Sequence, residues 1–185
     1  AATEKAATGL EAVLTASAAA HNGIFRGKNM GSAPTEAQLA AIKAGTFDDL
    51  YVGDYWSNGS VNYRIGGFDY YLKCGDTSFE SHHAVIVPDT QLYTNNMNAT
   101  NTTEGGYANS LMRLEGLAQA KEKVVAVFGA DHVLTHRVYL TNAVTNGKPS
   151  GGAWFDSDVE LMNENMVYGS HIFAPGCDGS TIPTN

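Results

Sequence analysis

Positive charge is what this sequence has least of. Its 185 residues carry 11 Lys and Arg against 19 Asp and Glu, a formal net charge of −8. No basic run is present that would displace counterions from a phosphate backbone, so nucleic acid is excluded as an expected partner. Long apolar runs are missing as well. None approaches the roughly 20 residues of a membrane-spanning helix, and no membrane partner is expected. The Ala-rich start has neither the basic n-region nor the Leu-type apolar stretch of a signal peptide. Cysteine is scarce: Cys74 and Cys177 lie far apart with no C-x-x-C spacing. That pattern leaves free thiols and one long-loop disulfide both open.

Catalytic signatures are missing too. There is no G-x-S-x-G elbow, and Ser170-His171 has no evident orienting partner. "GGFDYY" and "SGGAWF" lack the Lys and the strand–helix context of a phosphate cradle. Asp48, Asp49, Asp54, Asp69 and Asp76 are scattered, with no D-x-D-x-D-G run to hold calcium. His132 and His136 are four apart, but Val133-Leu134-Thr135 between them omits the Glu of a zinc-protease helix. This β-branched stretch reads as a strand, where positions four apart stand about 13 Å from each other, too far for one ion. Cys177, in "PGCDGS", sits in a turn-like tail rather than at a helix N-terminus that would activate it. The expectation is therefore no catalytic residue, no bound metal and no cofactor.

What is present is a succession of short elements. "AATEKAATGLEAVLTASAAAHNG" is helix-prone, and Ala6, Leu10, Val13, Ser17 and Ala20 follow a 4-3-4-3 rhythm of about two heptads. Residues 1–22 are thus expected to form a helix that docks on its own domain or associates with further copies. In "PTEAQLAAIKAGTFDDL", Thr35 and Gln38 spell a capping box, Leu39 and Ile42 face inward, and Gly45 ends the helix. Asn58-Gly59 marks a hairpin whose second strand alternates Val61, Tyr63, Ile65. Gly66-Gly67 allows a bulge before Phe68 to Leu72.

In "ESHHAVIVPD", His82-His83 reads as the entry to a buried central strand over Ala84–Pro88, one imidazole facing the core and the other solvent. A helix follows with Leu111, Leu114, Leu117, Ala118, Lys121, Val124, Val125 and Phe128 at helical spacing, weakened at Gly116 and closed by Gly129. "HVLTHRVYL" is a strand and "TNGKPSGGAW" a loop. Ser157 or Asp158 caps a last helix that stops near Gly169. Helix, sheet, helix, strand, helix predicts an α+β fold: a twisted antiparallel sheet with two or three helices, over residues 23–185.

Aromatic density is the most distinctive feature. Tyr55, Trp56, Tyr70, Tyr71 and Trp154 join polar-tipped rings to Asn- and Gly-rich turns, a chemistry suited to sugar stacking or protein contact. They are the candidate ligand-binding residues.

The stretches "IKAGTFDDLYVGDYW", "GGFDYYLKCGD", "HHAVIVPD", "GGYANSLMR" and "VLTHRVYLTNAVTNGKPSGGAWFDSDVELMNENMVYGSHIF" give the chain a specific resemblance. From about Gly27 to Phe173 it resembles a family of virion structural proteins of phages and prophages of gut Firmicutes, a domain of unknown function that looks distantly C-type-lectin-like. The resemblance implies display at a head or tail fibre or as capsid decoration, localisation in the virion, and no catalysis. Implied partners are other virion proteins, further copies of the chain in a homo-oligomer (a trimer favoured), and a host-surface glycan or protein. The family pattern continues past this chain's last residues, so the resemblance implies a closing C-terminal part beyond Asn185.

The alternative is a metal-dependent hydrolase of cell-wall peptide or polysaccharide, using His82, His83, His132, His136 and Asp131 brought together by folding. A third expectation is a purely structural block whose aromatic residues are all core.

Overall fold

Thr35 opens the clearest helix. Its hydroxyl accepts from the Gln38 N–H at 3.3 Å, and its own N–H donates to Gln38 Oε1 at 3.0 Å, so two end donors are satisfied reciprocally. This is helix α2 (Glu36–Ala44); it follows a short α1 (Ala18–Asn22). Ala41 is buried, with Leu39 and Ile42 half-buried beside it. Gly45 closes α2 at φ +71°, as expected. The computed structural model describes residues 18–141, 144–145, 148–149 and 151–169. The described residues form two units: residues 18–72 with Glu80–Gln91, and Lys73–Phe79 with the described residues from Leu92 onward. The 4-3 stripe at Ala6, Leu10, Val13 and Ser17 lies outside the described residues, as do Ser170-His171 and Cys177.

The first unit holds an antiparallel sheet in the order β1 (Tyr55–Asn58), β2 (Val61–Phe68), β3 (Ala84–Pro88). The expected hairpin is present, one residue displaced. Asn58 pairs with Val61, so Gly59 and Ser60 make the turn. Gly59 alone takes positive φ, at +60°, which is the two-residue turn whose twist suits a hairpin. Tyr63 and Ile65 are buried, and the register shifts between Ile65 and Gly67, so the Gly66-Gly67 bulge is also as read.

One expectation is corrected. β3 is an edge strand among the described residues, half-buried along its length, and β2 is central. Continuous apolarity does not separate an edge from a centre; Pro88, which has no N–H to donate, pairs at the strand end where an edge tolerates it. The free side of β1 is covered by residues 25–31 in parallel, with Tyr55 N–H to Lys28 O at 3.0 Å and Met30 N–H to Tyr55 O at 2.8 Å.

Phe47, Leu50, Trp56, Tyr63, Ile65 and Phe68 form the core of this unit, together with His21 and Asp54. The Trp56 indole N–H reaches Gln38 Oε1 at 3.2 Å, so one side chain serves both the helix cap and the core. Asn22 pairs with the backbone of Phe68 as a strand residue would, accepting its N–H at 2.7 Å and donating to its carbonyl at 3.0 Å, and this fastens α1 to β2.

In the second unit, a 3₁₀ turn (Tyr107–Asn109) and a π turn (Met112–Gly116) lead into α3 (Leu117–Phe128). Gly116 does divide the element. The wide turn carries an extra residue per cycle and rotates what precedes it. Met112, Leu117, Ala120 and Val127 form the buried face; Leu114, within the wide turn, and Lys121, after it, were expected there and are exposed.

A 3₁₀ turn (Ala130–His132) precedes β4 (His136–Thr141), which pairs antiparallel with β7 (Gly152–Ser157). The expected loop over Thr145–Trp154 is corrected. It contains part of a ladder between β5 (Val144–Thr145) and β6 (Lys148–Pro149) and runs into β7. The cap of α4 (Glu164–Tyr168) is Asn163, whose side-chain Oδ1 accepts from Met166 N–H at 2.9 Å; Ser157 instead ends β7. The fold is mixed α+β, as expected.

Candidate functional site

Asp69 organises the turn that follows β2. It takes a left-handed conformation, φ +55°, unusual outside glycine. The strain is held by paired bonds to the start of β3. Asp69 N–H donates to His83 O at 2.9 Å, and His83 N–H returns to Asp69 Oδ1 at 3.0 Å. The second carboxylate oxygen meets His82 Nδ1 at 2.8 Å. One carboxylate thus aligns two consecutive histidines on opposite sides of the chain, the partly exposed His82 and the buried His83.

His83 has a defined proton arrangement. Tyr71 N–H donates to its Nε2 at 3.0 Å, so that nitrogen is an acceptor; Nδ1, 2.9 Å from Ser81 O, then carries the hydrogen. Burial pushes the imidazole pKa down, and His82 adds to this; the Ser81 carbonyl and Asp69 oppose it less strongly. His83 is a neutral strut that holds the Tyr70–Tyr71 turn. The Tyr71 ring stacks on it at 6.0 Å, and Tyr70 meets Tyr71 edge to face at 4.8 Å. Tyr70 is 43% exposed. His82 lies over Gly45, where a Cβ would come 2.7 Å from its ring atoms, and edge-on to Phe47 at 6.2 Å.

The other candidate aromatics separate. Trp56 is wholly buried and is corrected to a core residue: it occupies an inward position of β1, opposite Tyr63. The half-buried Tyr55 is covered by the Arg64 guanidinium, 4.5 Å from the ring centroid. Trp154, 37% exposed, belongs to the second unit, edge to face with Tyr139 at 5.5 Å. Only Tyr70 and Tyr71 of the five are brought together by the first unit.

The histidine set divides similarly. His132 is in a 3₁₀ turn with Nδ1 2.7 Å from Phe128 O, and His136 begins β4. Both ring nitrogens of His83 already face backbone partners. Among the described residues no three His, Cys, Asp or Glu side chains are arranged to hold a metal. Cys74 is buried, which pushes its thiol pKa up.

Two polar clusters escaped the sequence reading. In the first unit, Arg26 grips the buried Asp54 through Nε and Nη2, bonds Asp49, and lies 4.7 Å from the Tyr51 ring centroid. In the second, Glu160 accepts from the Tyr107 hydroxyl, from Arg113 Nε at 3.1 Å and from Ser157 Oγ at 2.8 Å. Burial, then the Glu160 bond, pushes the Tyr107 pKa up, so its phenol stays protonated. No periodicity or spacing marks either cluster, because their partners are distant in sequence.

A cleft of about 400 Å³ in the second unit is lined by Thr77, Phe79, Thr135, His136, Arg137 and Asp156 among others. Comparison with models of known protein families, with curated proteins and with solved structures finds no match.

Proposed function

We propose that this chain is a non-catalytic structural protein of a phage virion, a head or tail fibre or capsid-decoration module, which contacts a host-surface glycan or protein through Tyr70 and Tyr71. The observation that carries the reading is the Asp69–His82–His83 turn. Its carboxylate and its buried imidazole are spent on holding backbone, and what it presents outward is an aromatic pair. An exposed Tyr ring on a turn with a partly exposed imidazole suits stacking on a sugar face. The antiparallel three-stranded sheet with flanking helices and long connections supports a distant C-type-lectin-like arrangement. Self-association, with a trimer favoured, and other virion proteins as neighbours belong to the same proposal.

The test is binding of the full chain to an array of bacterial cell-wall and capsular glycans, beside Tyr70→Ala. A retained glycan class that the variant loses supports the reading; unaltered binding by the variant removes Tyr70 from it. For the virion role, particles produced without this protein should change in composition and adsorb less to their host. Unchanged particles would sink the proposal. The metal-dependent hydrolase reading has no observation in its favour.

A further inference from the structure

In the second unit, the Lys73–Phe79 segment closes on itself. Lys73 N–H donates to Phe79 O at 2.7 Å, and Phe79 N–H to Cys74 O at 3.1 Å. Arg137, early in β4, ties this loop to the β4–β7 pair. Its guanidinium forks onto Asp76, Nε to Oδ1 at 2.8 Å and Nη2 to Oδ2 at 3.0 Å. Nη1 donates to Asp156 Oδ1 across the ladder at 2.8 Å. Gly75 permits the close approach: its φ is +102°, and a Cβ there would lie 2.9 Å from Arg137 Cβ. The cleft of about 400 Å³ between loop and strands therefore has hydrogen-bonded walls.

These walls offer acceptors, donors and an aromatic side. The Asp156 side chain is 74% exposed; Oδ1 is bonded to Arg137, and Oδ2 takes no bond among the described residues. Arg137 uses three of its five N–H groups on the two carboxylates. The exposed Thr77 and Thr135 add hydroxyls, and the half-buried Phe79 and His136 meet edge to face at 6.3 Å.

This chemistry selects among ligands. One guanidinium between two carboxylates leaves the site negative, which disfavours phosphates and carboxylates. Among the described residues no three His, Cys, Asp or Glu side chains are arranged for a metal. A neutral polyhydroxy ring suits both kinds of group: neighbouring hydroxyls donate to Asp156 and accept from Arg137, while the C–H face lies on Phe79. The volume is near the lower end of small-ligand pockets, about 300–1,000 Å³, and suits one ring rather than an extended chain.

We infer that this cleft binds a single neutral sugar residue, with Asp156, Arg137 and Thr135 as its polar anchors and Phe79 as its platform. The inference rests on the glycan part of the reading above and gives that glycan a second contact, in the other unit and made without Tyr70 or Tyr71.

The experiment is an amide NMR titration of the full chain with glucose, galactose, mannose, rhamnose, N-acetylglucosamine and N-acetylgalactosamine, each at millimolar concentration. Wild type is compared with Asp156→Ala, Thr135→Val and Tyr70→Ala. The expected result is a saturable shift over residues 77–79 and 135–137 with at least one sugar. Affinity should fall about tenfold in Asp156→Ala, as for a lost hydrogen bond to a charged group, and stay at the wild-type value in Tyr70→Ala. No saturable shift at the cleft with any of the six sugars overturns the inference, and so does an Asp156→Ala protein that binds as tightly as wild type. If Asp156→Ala disturbs β7, Thr135→Val decides instead: it deletes one exposed hydroxyl, and unaltered binding overturns the inference. Shifts confined to the Tyr70–Tyr71 turn and lost in Tyr70→Ala also overturn it, and leave the Tyr70 reading standing. Cleft shifts in a Tyr70→Ala protein whose glycan-array pattern is unaltered support the inference and remove Tyr70.

Discussion

Arg26 and Asp54 form a two-pronged ion pair, Nε to Oδ1 at 3.0 Å and Nη2 to Oδ2 at 2.7 Å, around a carboxylate with no exposed surface. Asp54 also accepts the backbone N–H of Lys28 at 2.9 Å and of Tyr51 at 2.8 Å, so both oxygens are doubly satisfied. Two chain segments, residues 26–28 and 51–54, are joined through one carboxylate.

Removing Arg26 strands that charge. Arg26→Ala should cost about 3–5 kcal/mol, the usual penalty for leaving a buried charge without its partner. Arg26→Lys should cost less, since an ammonium reaches one prong but cannot form the fork. Urea midpoints at constant slope measure both. An Arg26→Ala protein as stable as wild type would show the pair to be dispensable.

His83 makes stability depend on pH in one direction. Its folded-state pKa is depressed below the unfolded value of about 6.5. As pH falls through 6.5 the unfolded chain takes up a proton that the folded chain refuses. This contribution is therefore complete above 6.5 and declines below it, until the folded imidazole is itself protonated. Protonation there also sets an Nε2–H against the Tyr71 N–H. Comparing urea midpoints at neutral pH and near pH 5.5, His83→Gln should lose less stability than wild type. Equal losses would mean that another group carries the acid sensitivity.

Gly45 and Gly59 share positive φ but differ in surroundings. A Cβ at Gly45 meets the His82 ring at 2.7 Å, whereas one at Gly59 meets nothing within 4 Å. Gly59→Ala should cost about 1 kcal/mol through backbone strain alone. Gly45→Ala should cost more and displace His82 from Asp69, visible as a changed His82 NMR shift. Equal costs would show that His82 yields without resistance.

The two tryptophans provide a direct check of burial. Trp56→Phe should remove a blue-shifted, acrylamide-resistant emission component, and Trp154→Phe a red-shifted, quenchable one, because Trp56 is buried and Trp154 is 37% exposed. Trp56→Phe should also loosen the start of α2, since Gln38 loses the indole N–H. Reversal of the two spectra would contradict the placement of both rings.

Local chemistry was legible in the sequence and distant pairing was not. Thr35, Gln38 and Gly45 act within a few residues of one another, and their helix is present as read. The Gly59 turn follows from glycine's conformational freedom; the Gly66-Gly67 bulge is where the register shifts. Whether Ala84–Pro88 is a centre or an edge depends on which strands lie beside it, and its own apolarity says nothing about that. The face of the Leu111–Phe128 segment was misassigned because a π turn breaks the period on which the reading rests. Trp56 shows the limit for the site: an aromatic in a polar, turn-rich stretch has the same sequence texture whether its ring faces a ligand or the core. Arg26 carried no signal at all, since the carboxylates it binds, Asp49 and Asp54, lie more than 20 residues away.

The order in which residues join the two units constrains how this protein is made and divided. Lys73–Phe79 belongs to the second unit, while the chain on both sides of it, through Leu72 and again over Glu80–Gln91, belongs to the first. No single cleavage yields two intact halves. A gene fragment ending at Gln91 would encode the whole first unit with seven residues of foreign insert, and the remainder would lack a piece of its own fold. During synthesis the insert leaves the ribosome before any strand of the second unit exists to receive it. Recombination at one simple boundary would therefore carry the seven residues of the insert along with the first unit.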